Sequence, residues 1–537
     1  MMIRERFVMI DGFMYDLIIK NARIIDGTNA PWFRGDVGIK DGRIERIGIL
    51  EGSDSKETVD AEDQYLVPGF IDIHCHSDST LFDYPLAESR ILQGITTELG
   101  GNCGISPAPV NPDKVKLLKD YAGHLEYDWG RLSECLGRLE SEGTSTNFGT
   151  LIGHGTIRLA VMGFEDRKPT EGEMEEMVQL LRQAMDDGAY GMSSGLIYPP
   201  GCFSDVDEMA ELVKVLKSYG GFYATHMRDE ATKTVEAVKE ALEVCKRSGV
   251  PLEISHHKVI RKTHWELDCK TTVAMIEKAR REGLDVTVDQ YPYNASSTTM
   301  DSNVPLWGFE GGMEKMLQRL QTSEIREQLK AESNASHVGR WGDIFVSYAE
   351  SEKNAWTIGK SIAEIAEIRS VDPADACFDL IVEEKGRVNE VNYGMCEEDI
   401  EYIMSQRFTM IGSDGYAASM DYPGLPHPRW YGTFPRVIAH YCRDRRLFPL
   451  ETAIYKMTGL PAARLGLPDR GLVKEGMWSD LVLLDFENIQ DTPDYNSPKS
   501  ACKGILKVYV NGVLTAENGV HTGAKSGKIL RKGRKGR

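Results

Sequence analysis

The sequence predicts an α/β fold: a TIM (β/α)8 barrel carrying a small β-sandwich-like domain built from both chain ends. Three observations predict it. Apolar, strand-like runs alternate with helical stretches through the middle of the chain; β-rich runs punctuated by Asn, Asp and Gly occupy both ends; and the chemically versatile residues sit where the middle apolar runs stop. At 537 residues the chain is too long for one core, so at least two are expected, one of them large.

Residues 1–13 read as an extension ahead of the first strand signal, without the apolar segment of a secretory leader. The runs Leu17-Ile18-Ile19, Arg23-Ile24-Ile25, Val37-Gly38-Ile39 and Ile44-Glu45-Arg46-Ile47 predict a small antiparallel sheet, with Asp41-Gly42 as its clearest hairpin turn. Matching runs follow at the far end, Leu481-Val482-Leu483-Leu484 and Val508-Tyr509-Val510, so residues 14–67 and 472–524 are expected to form one composite β domain. The barrel is expected over residues 68–471, where helical segments near 171–185, 206–218, 233–248 and 271–282 alternate with strands. About eight such units over about 400 residues fit a barrel with insertions. Residues 300–400 are polar, with helical runs such as 313–321, and read as an insertion or lid over the barrel mouth. The basic tail, 525–537, is expected to be a loose, solubilising end.

In such a barrel the chemistry lies at the C-terminal ends of the strands. Gly69-Phe70-Ile71-Asp72-Ile73-His74-Cys75-His76 delivers two histidines one residue apart, which a strand projects to one face, where they can share a metal ion. Ile95-Thr96-Thr97-Glu98-Leu99 leads into the glycine-rich turn Gly100-Gly101-Asn102-Cys103-Gly104. Phe222-Tyr223-Ala224-Thr225-His226 and Leu252-Glu253-Ile254-Ser255-His256-His257-Lys258 are strands ending in histidine, and Thr409-Met410-Ile411-Gly412-Ser413-Asp414 ends in a carboxylate. Taken singly, a strand-end histidine is more often a hydrogen-bonded core residue and a lone cysteine is usually inert. Their joint position at strand ends predicts a metal site. His256 and His257 are neighbours, so only one can face that site, and Lys258 shares the side of His256.

The formal net charge of −19 argues against nucleic acid or an anionic membrane as partner. No run of about 18 apolar residues occurs, so no membrane-spanning helix is expected. Ten cysteines scattered without regular spacing read as reduced thiols, which points to the cytoplasm.

Several segments together resemble the N-acyl-D-amino-acid deacylase (D-aminoacylase) group of the amidohydrolase superfamily. They are Pro68-Gly69-Phe70-Ile71-Asp72-Ile73-His74-Cys75-His76, Gly101-Asn102-Cys103-Gly104, Gly195-Leu196-Ile197-Tyr198, Thr225-His226-Met227-Arg228, Ile254-Ser255-His256-His257-Lys258, Asp289-Gln290-Tyr291-Pro292-Tyr293, Gly412-Ser413-Asp414-Gly415 and His427-Pro428-Arg429. Superfamily members commonly bridge two metals with a carboxylated lysine at the end of the fourth strand; Gly191-Met192-Ser193-Ser194-Gly195 offers none. The resemblance instead implies that Cys103, His226 and His256 bind a tight zinc, with His74, His76 and Asp414 lining a second position that is filled weakly or stays empty. It favours His256 over His257 as the ligand.

What the resemblance implies for chemistry is hydrolysis of the amide bond of an N-acyl-D-amino acid by a zinc-activated water, with Asp414 as general base and then general acid. Such a substrate carries a free α-carboxylate, and Lys258, Arg429, Tyr198 and a hydroxyl of Ser296 or Ser297 resemble the residues that hold it. The D preference rests on the resemblance alone. The alternatives are another amidase or dipeptidase of the superfamily, similar to dihydroorotase, hydantoinase or isoaspartyl dipeptidase, and a catalytically silent barrel used as a scaffold. The missing lysine and the Gly101-Asn102-Cys103-Gly104 turn count against the first, and the presence of every expected ligand counts against the second.

Overall fold

The computed structural model describes residues 14–122 and 125–533, so the extension at 1–13 and the last four residues of the tail lie outside the described residues. Eight parallel strands form the ring: Phe70–Asp72, Ile95–Gly100, Asn147–Thr150, Gly191–Gly195, Phe222–His226, Leu252–Ile254, Val286–Gln290 and Thr409–Ile411. The third continues through Ile152–Gly153, which pairs with the fourth. The eighth returns to the first through a parallel bridge between Cys75 and Gly415, with the Asp414 N–H donating to the His74 carbonyl at 2.8 Å. The seam of the barrel is thus stitched by the segments that carry the metal-ligand candidates.

The strands are short and fully buried, as a sheet covered on both faces requires. Ile71, Leu99, Leu151, Ala224 and Met410, drawn from strands around the ring, pack into one cluster. The outer helices present apolar stripes to the ring and have well-made ends. Thr170 and Glu173 form a capping box on Glu171–Asp187, and the Asp205 carboxylate accepts the Asp207 and Glu208 N–H groups ahead of Val206–Val215, caps worth about 1 kcal/mol each.

Beneath the seam lies a buried ion pair. Arg90 Nη1 donates to Asp72 at 3.1 Å and to Ser413 Oγ at 2.6 Å, while its Nη2 reaches the Trp430 carbonyl. Asp72 also accepts the Ser413 N–H at 2.9 Å, so the pair ties the first strand to the eighth. Leaving a buried charge without its partner costs about 3–5 kcal/mol. Arg90→Met is therefore expected to lower the calorimetric unfolding temperature by several degrees; an unchanged transition would show that the pair does not hold the seam.

The insertion after the seventh strand is a folded unit. Its antiparallel sheet has the order Ser296–Thr299, Val388–Asn392, Ile344–Ala349, and Met316, Leu329, Ile344, Phe378 and Val388 belong to a core of its own. It begins a few residues before 300, because its first strand contains Ser296 and Ser297.

Both chain ends enter one nine-stranded sheet, in which Leu481–Leu484 runs antiparallel to Tyr65–Pro68. Asp41 and Gly42, at φ 49° and 75°, turn the hairpin between Phe33–Lys40 and Arg43–Gly48. The tail departs from its expected looseness over residues 525–533. The Phe148 N–H donates to the Lys528 carbonyl and the Leu530 N–H to the Phe148 carbonyl, and Ile529 is buried in the core cluster that includes Phe148. The strand edge beside Asn147–Thr150 supplies hydrogen bonds, and Ile529 supplies the apolar anchor that basic composition obscures. Among the described residues, no helix is long and apolar enough to cross a membrane.

Candidate metal centre

Three overlapping sets of donor atoms gather at the C-terminal end of the ring: His74, His76 and Cys103; Cys103, His226 and His256; and His74, His256 and Asp414. Within each set the atoms lie no more than 4.8 Å apart. All six sequence-predicted ligands therefore meet in one place. Cys103 Sγ is 3.4 Å from both His74 Nε2 and His256 Nε2, and Asp414 Oδ1 is 3.1 Å from His76 Nε2.

Only His226 lies within a strand; the others sit just past one. Cys103, His256 and Asp414 take left-handed backbone angles, φ 52°, 34° and 49°, each costing a residue with a side chain about 1–2 kcal/mol. The surroundings enforce them. Asp289 accepts the His256 N–H at 2.9 Å, the His74 carbonyl takes the Asp414 N–H, and Ser193 Oγ accepts the Gly104 N–H at 3.0 Å while donating to the Gly101 carbonyl. Ser193, on the strand that lacks a lysine, thus braces the turn that presents Cys103. The left-handed turn at His256 also replaces the strand alternation expected to separate the paired histidines, because the strand ends at Ile254. His256 turns into the site, whereas His257 is buried against Thr272 Oγ1 at 3.0 Å, with burial holding its pKa at about 4.

The charges are arranged for a cation. Burial would raise the Cys103 thiol pKa, but the His74 and His256 rings overcome it and hold it well below the ordinary thiol range. Burial likewise opposes ionisation of Asp414, and Arg429 with His76 overcomes that too. His74 donates from Nδ1 to Asp289 at 3.2 Å, leaving Nε2 facing the thiol. Neither ring nitrogen of His226 has a hydrogen-bond partner; Nε2 faces Glu230 Oε2 at 3.3 Å, and Nδ1 is a buried nitrogen that the protein itself does not use. A thiolate, imidazoles and a carboxylate around such an orphaned nitrogen fit a divalent ion of intermediate softness.

The residues expected to hold substrate are distributed unevenly. Tyr198 stands edge-on to the His226 ring at 4.9 Å, its hydroxyl 3.4 Å from Thr298 Oγ1. Arg429 is buried 3.0 Å from Asp414 over the Tyr291 ring, and its Nε has no hydrogen-bond partner. Lys258 reaches the site but is engaged, 2.7 Å from Glu230 and 2.8 Å from His256 Nδ1. The Ser297 hydroxyl donates to the Glu390 carbonyl inside the insertion, and its own carbonyl takes Arg429 Nη2 at 3.2 Å. Ser296 begins the same strand, half-buried. Sequence reasoning missed Glu230 and Asp289. Glu230, four residues past His226, and Asp289, in a strand of its own, become visible only when the ring closes.

Residues 57–516 match the model of the Amidohydrolase family. The chain is 35% identical over 523 residues to a D-aminoacylase of Alcaligenes xylosoxydans xylosoxydans, covering 97% of this chain and 98% of that one. Among solved structures it is similar to a D-aminoacylase described for its binuclear metal centre, with a TM-score of 0.81 and 35% identity, covering 96% of this chain and all of the other. It is also similar to the N-acyl-D-glutamate deacylase of Bordetella bronchiseptica complexed with zinc and a phosphonate mimic of the tetrahedral intermediate. That match has a TM-score of 0.82 and 30% identity, covering 97% of this chain and all of the other.

Proposed function

Because the chain belongs to the amidohydrolase family, we propose that it hydrolyses N-acyl-D-amino acids to a carboxylate and a free D-amino acid, at a zinc site centred on Cys103, His226 and His256. The observation that carries this reading is the convergence of the six ligand candidates beside Arg429, a buried cation with an unused donor. His74 and His76, with Nε2 atoms 3.7 and 3.1 Å from Asp414 Oδ1, frame with it a second, weaker metal position. A zinc ion at the first position supplies Lewis acidity and brings water ionisation toward neutral pH.

The protein's own groups perform the rest. Asp414, ionised and 3.1 Å from His76, accepts the proton of the attacking water. Water oxygen bonds to the acyl carbon, the carbon–nitrogen bond breaks, and Asp414 returns the proton to the departing amine. Arg429 holds the α-carboxylate through its free Nε, with Lys258 and Tyr198 completing the receptor. The insertion's first strand, which contacts both Tyr198 and Arg429, shapes the pocket from above. All ten cysteines are unpaired, which supports a cytoplasmic setting.

A charge-assisted hydrogen bond is worth about 1.5–3 kcal/mol. Arg429→Met is therefore expected to raise KM for an N-acyl-D-amino acid at least about tenfold while leaving KM for the amide-capped analogue unchanged. Any change in kcat through the Asp414 contact falls on both substrates alike. Equal KM changes for the two would remove Arg429 from the carboxylate receptor.

A further inference from the structure

We propose that Glu230 is a positioning residue that serves both histidines of the Cys103 site at once and couples them to the carboxylate receptor through Lys258. The inference rests on the metal site proposed above. Glu230 is buried, with Oε1 3.0 Å from His256 Nδ1, Oε2 3.3 Å from His226 Nε2, and Lys258 Nζ at 2.7 Å. Its backbone is pinned as well, because the Ile260 N–H donates to the Glu230 carbonyl at 2.8 Å.

The geometry allocates the ring protons. His256 turns Nε2 toward Cys103, so a ligated His256 carries its proton on Nδ1 and needs an acceptor there. Two groups lie within reach. Lys258, an ammonium, has three donors and no acceptor, which leaves Glu230. For His226 neither ring nitrogen has a hydrogen-bond partner, but Glu230 Oε2, 3.3 Å from Nε2, is the carboxylate facing that side of the ring, which leaves Nδ1 to face the metal. One carboxylate thus sets two tautomers on adjacent strands. Lys258 Nζ stands on the same carboxylate as the two rings, so the group that orients the metal ligands also positions a member of the carboxylate receptor.

Glu230→Gln tests this, because its amide nitrogen cannot accept a hydrogen bond and only one acceptor oxygen remains for three donors. Zinc affinity, measured by chelator competition on the full-length protein, is expected to fall about 10–100-fold, and KM for the free-acid substrate to rise more than KM for the amide-capped analogue. Glu208→Gln is the control for general loosening. Glu208 is another buried carboxylate, paired with His154 at 2.9 Å and Arg158 at 2.5 Å rather than with any ligand; the zinc affinity of its variant is expected to stay within about twofold of wild type. Unchanged zinc affinity in Glu230→Gln, or an equal loss in Glu208→Gln, overturns the proposal. If Cys103→Ala empties the site while Glu230→Gln keeps full affinity, only this inference falls; a wild-type protein that takes up no zinc removes the site and the inference together.

Discussion

Asp414→Asn is expected to retain zinc at the Cys103 site while losing turnover at least about a hundredfold. Asparagine keeps the shape and fills the same left-handed position, where Asn is tolerated better than most residues. What it lacks is the capacity to take a proton from water and return it to the amine. The carboxylate is prepared for that exchange. Burial alone would raise its pKa, but Arg429 at 3.0 Å and His76 at 3.1 Å hold it well below the ordinary carboxylate range. Turnover equal to wild type in a zinc-quantified sample would eliminate Asp414 as the general base.

Cys103→Ala carries the second large effect. The thiolate is the only anionic donor in the set with His226 and His256, and it faces His74 as well. Removing it leaves two imidazoles and a cavity, so the dialysed variant is expected to hold less than about a tenth of the zinc bound by wild type. Alanine occupies the strained backbone at Cys103 without strain relief, since it too carries a Cβ. The fold should persist because the turn is braced by Ser193 and flanked by Gly101 and Gly104 at φ 73° and 79°. Full zinc retention with Cys103 replaced would remove it from the ligand set.

The alternation of apolar strands and amphipathic helices, and the chemically distinctive side chains at strand ends, were legible because both are local patterns. Phe222–His226 announces itself by composition, and His226 by position. The supporting carboxylates were not legible. Glu230 looks like any loop acid until two strands bring His226 and His256 around it, and Asp289 has no local signal that it holds His74 from 215 positions away. Lys258 illustrates the same limit: its proximity to the site followed from spacing, but its engagement with Glu230 depends on the loop that places that acid. The insertion's sheet escaped notice because Ser296–Thr299 is polar and partly exposed, without the apolar alternation that marks a strand. The docked tail escaped because its one apolar pair, Ile529 and Leu530, is short and lies among basic residues.

The most direct test is hydrolysis of paired N-acetyl-D- and N-acetyl-L-amino acids by protein whose zinc content has been quantified. The expected result is release of free amino acid from the D series, in proportion to zinc bound at the Cys103 site, with the L series hydrolysed at least about a hundredfold more slowly. Equal hydrolysis of both series, or hydrolysis of the D series that persists after zinc is removed, would contradict it.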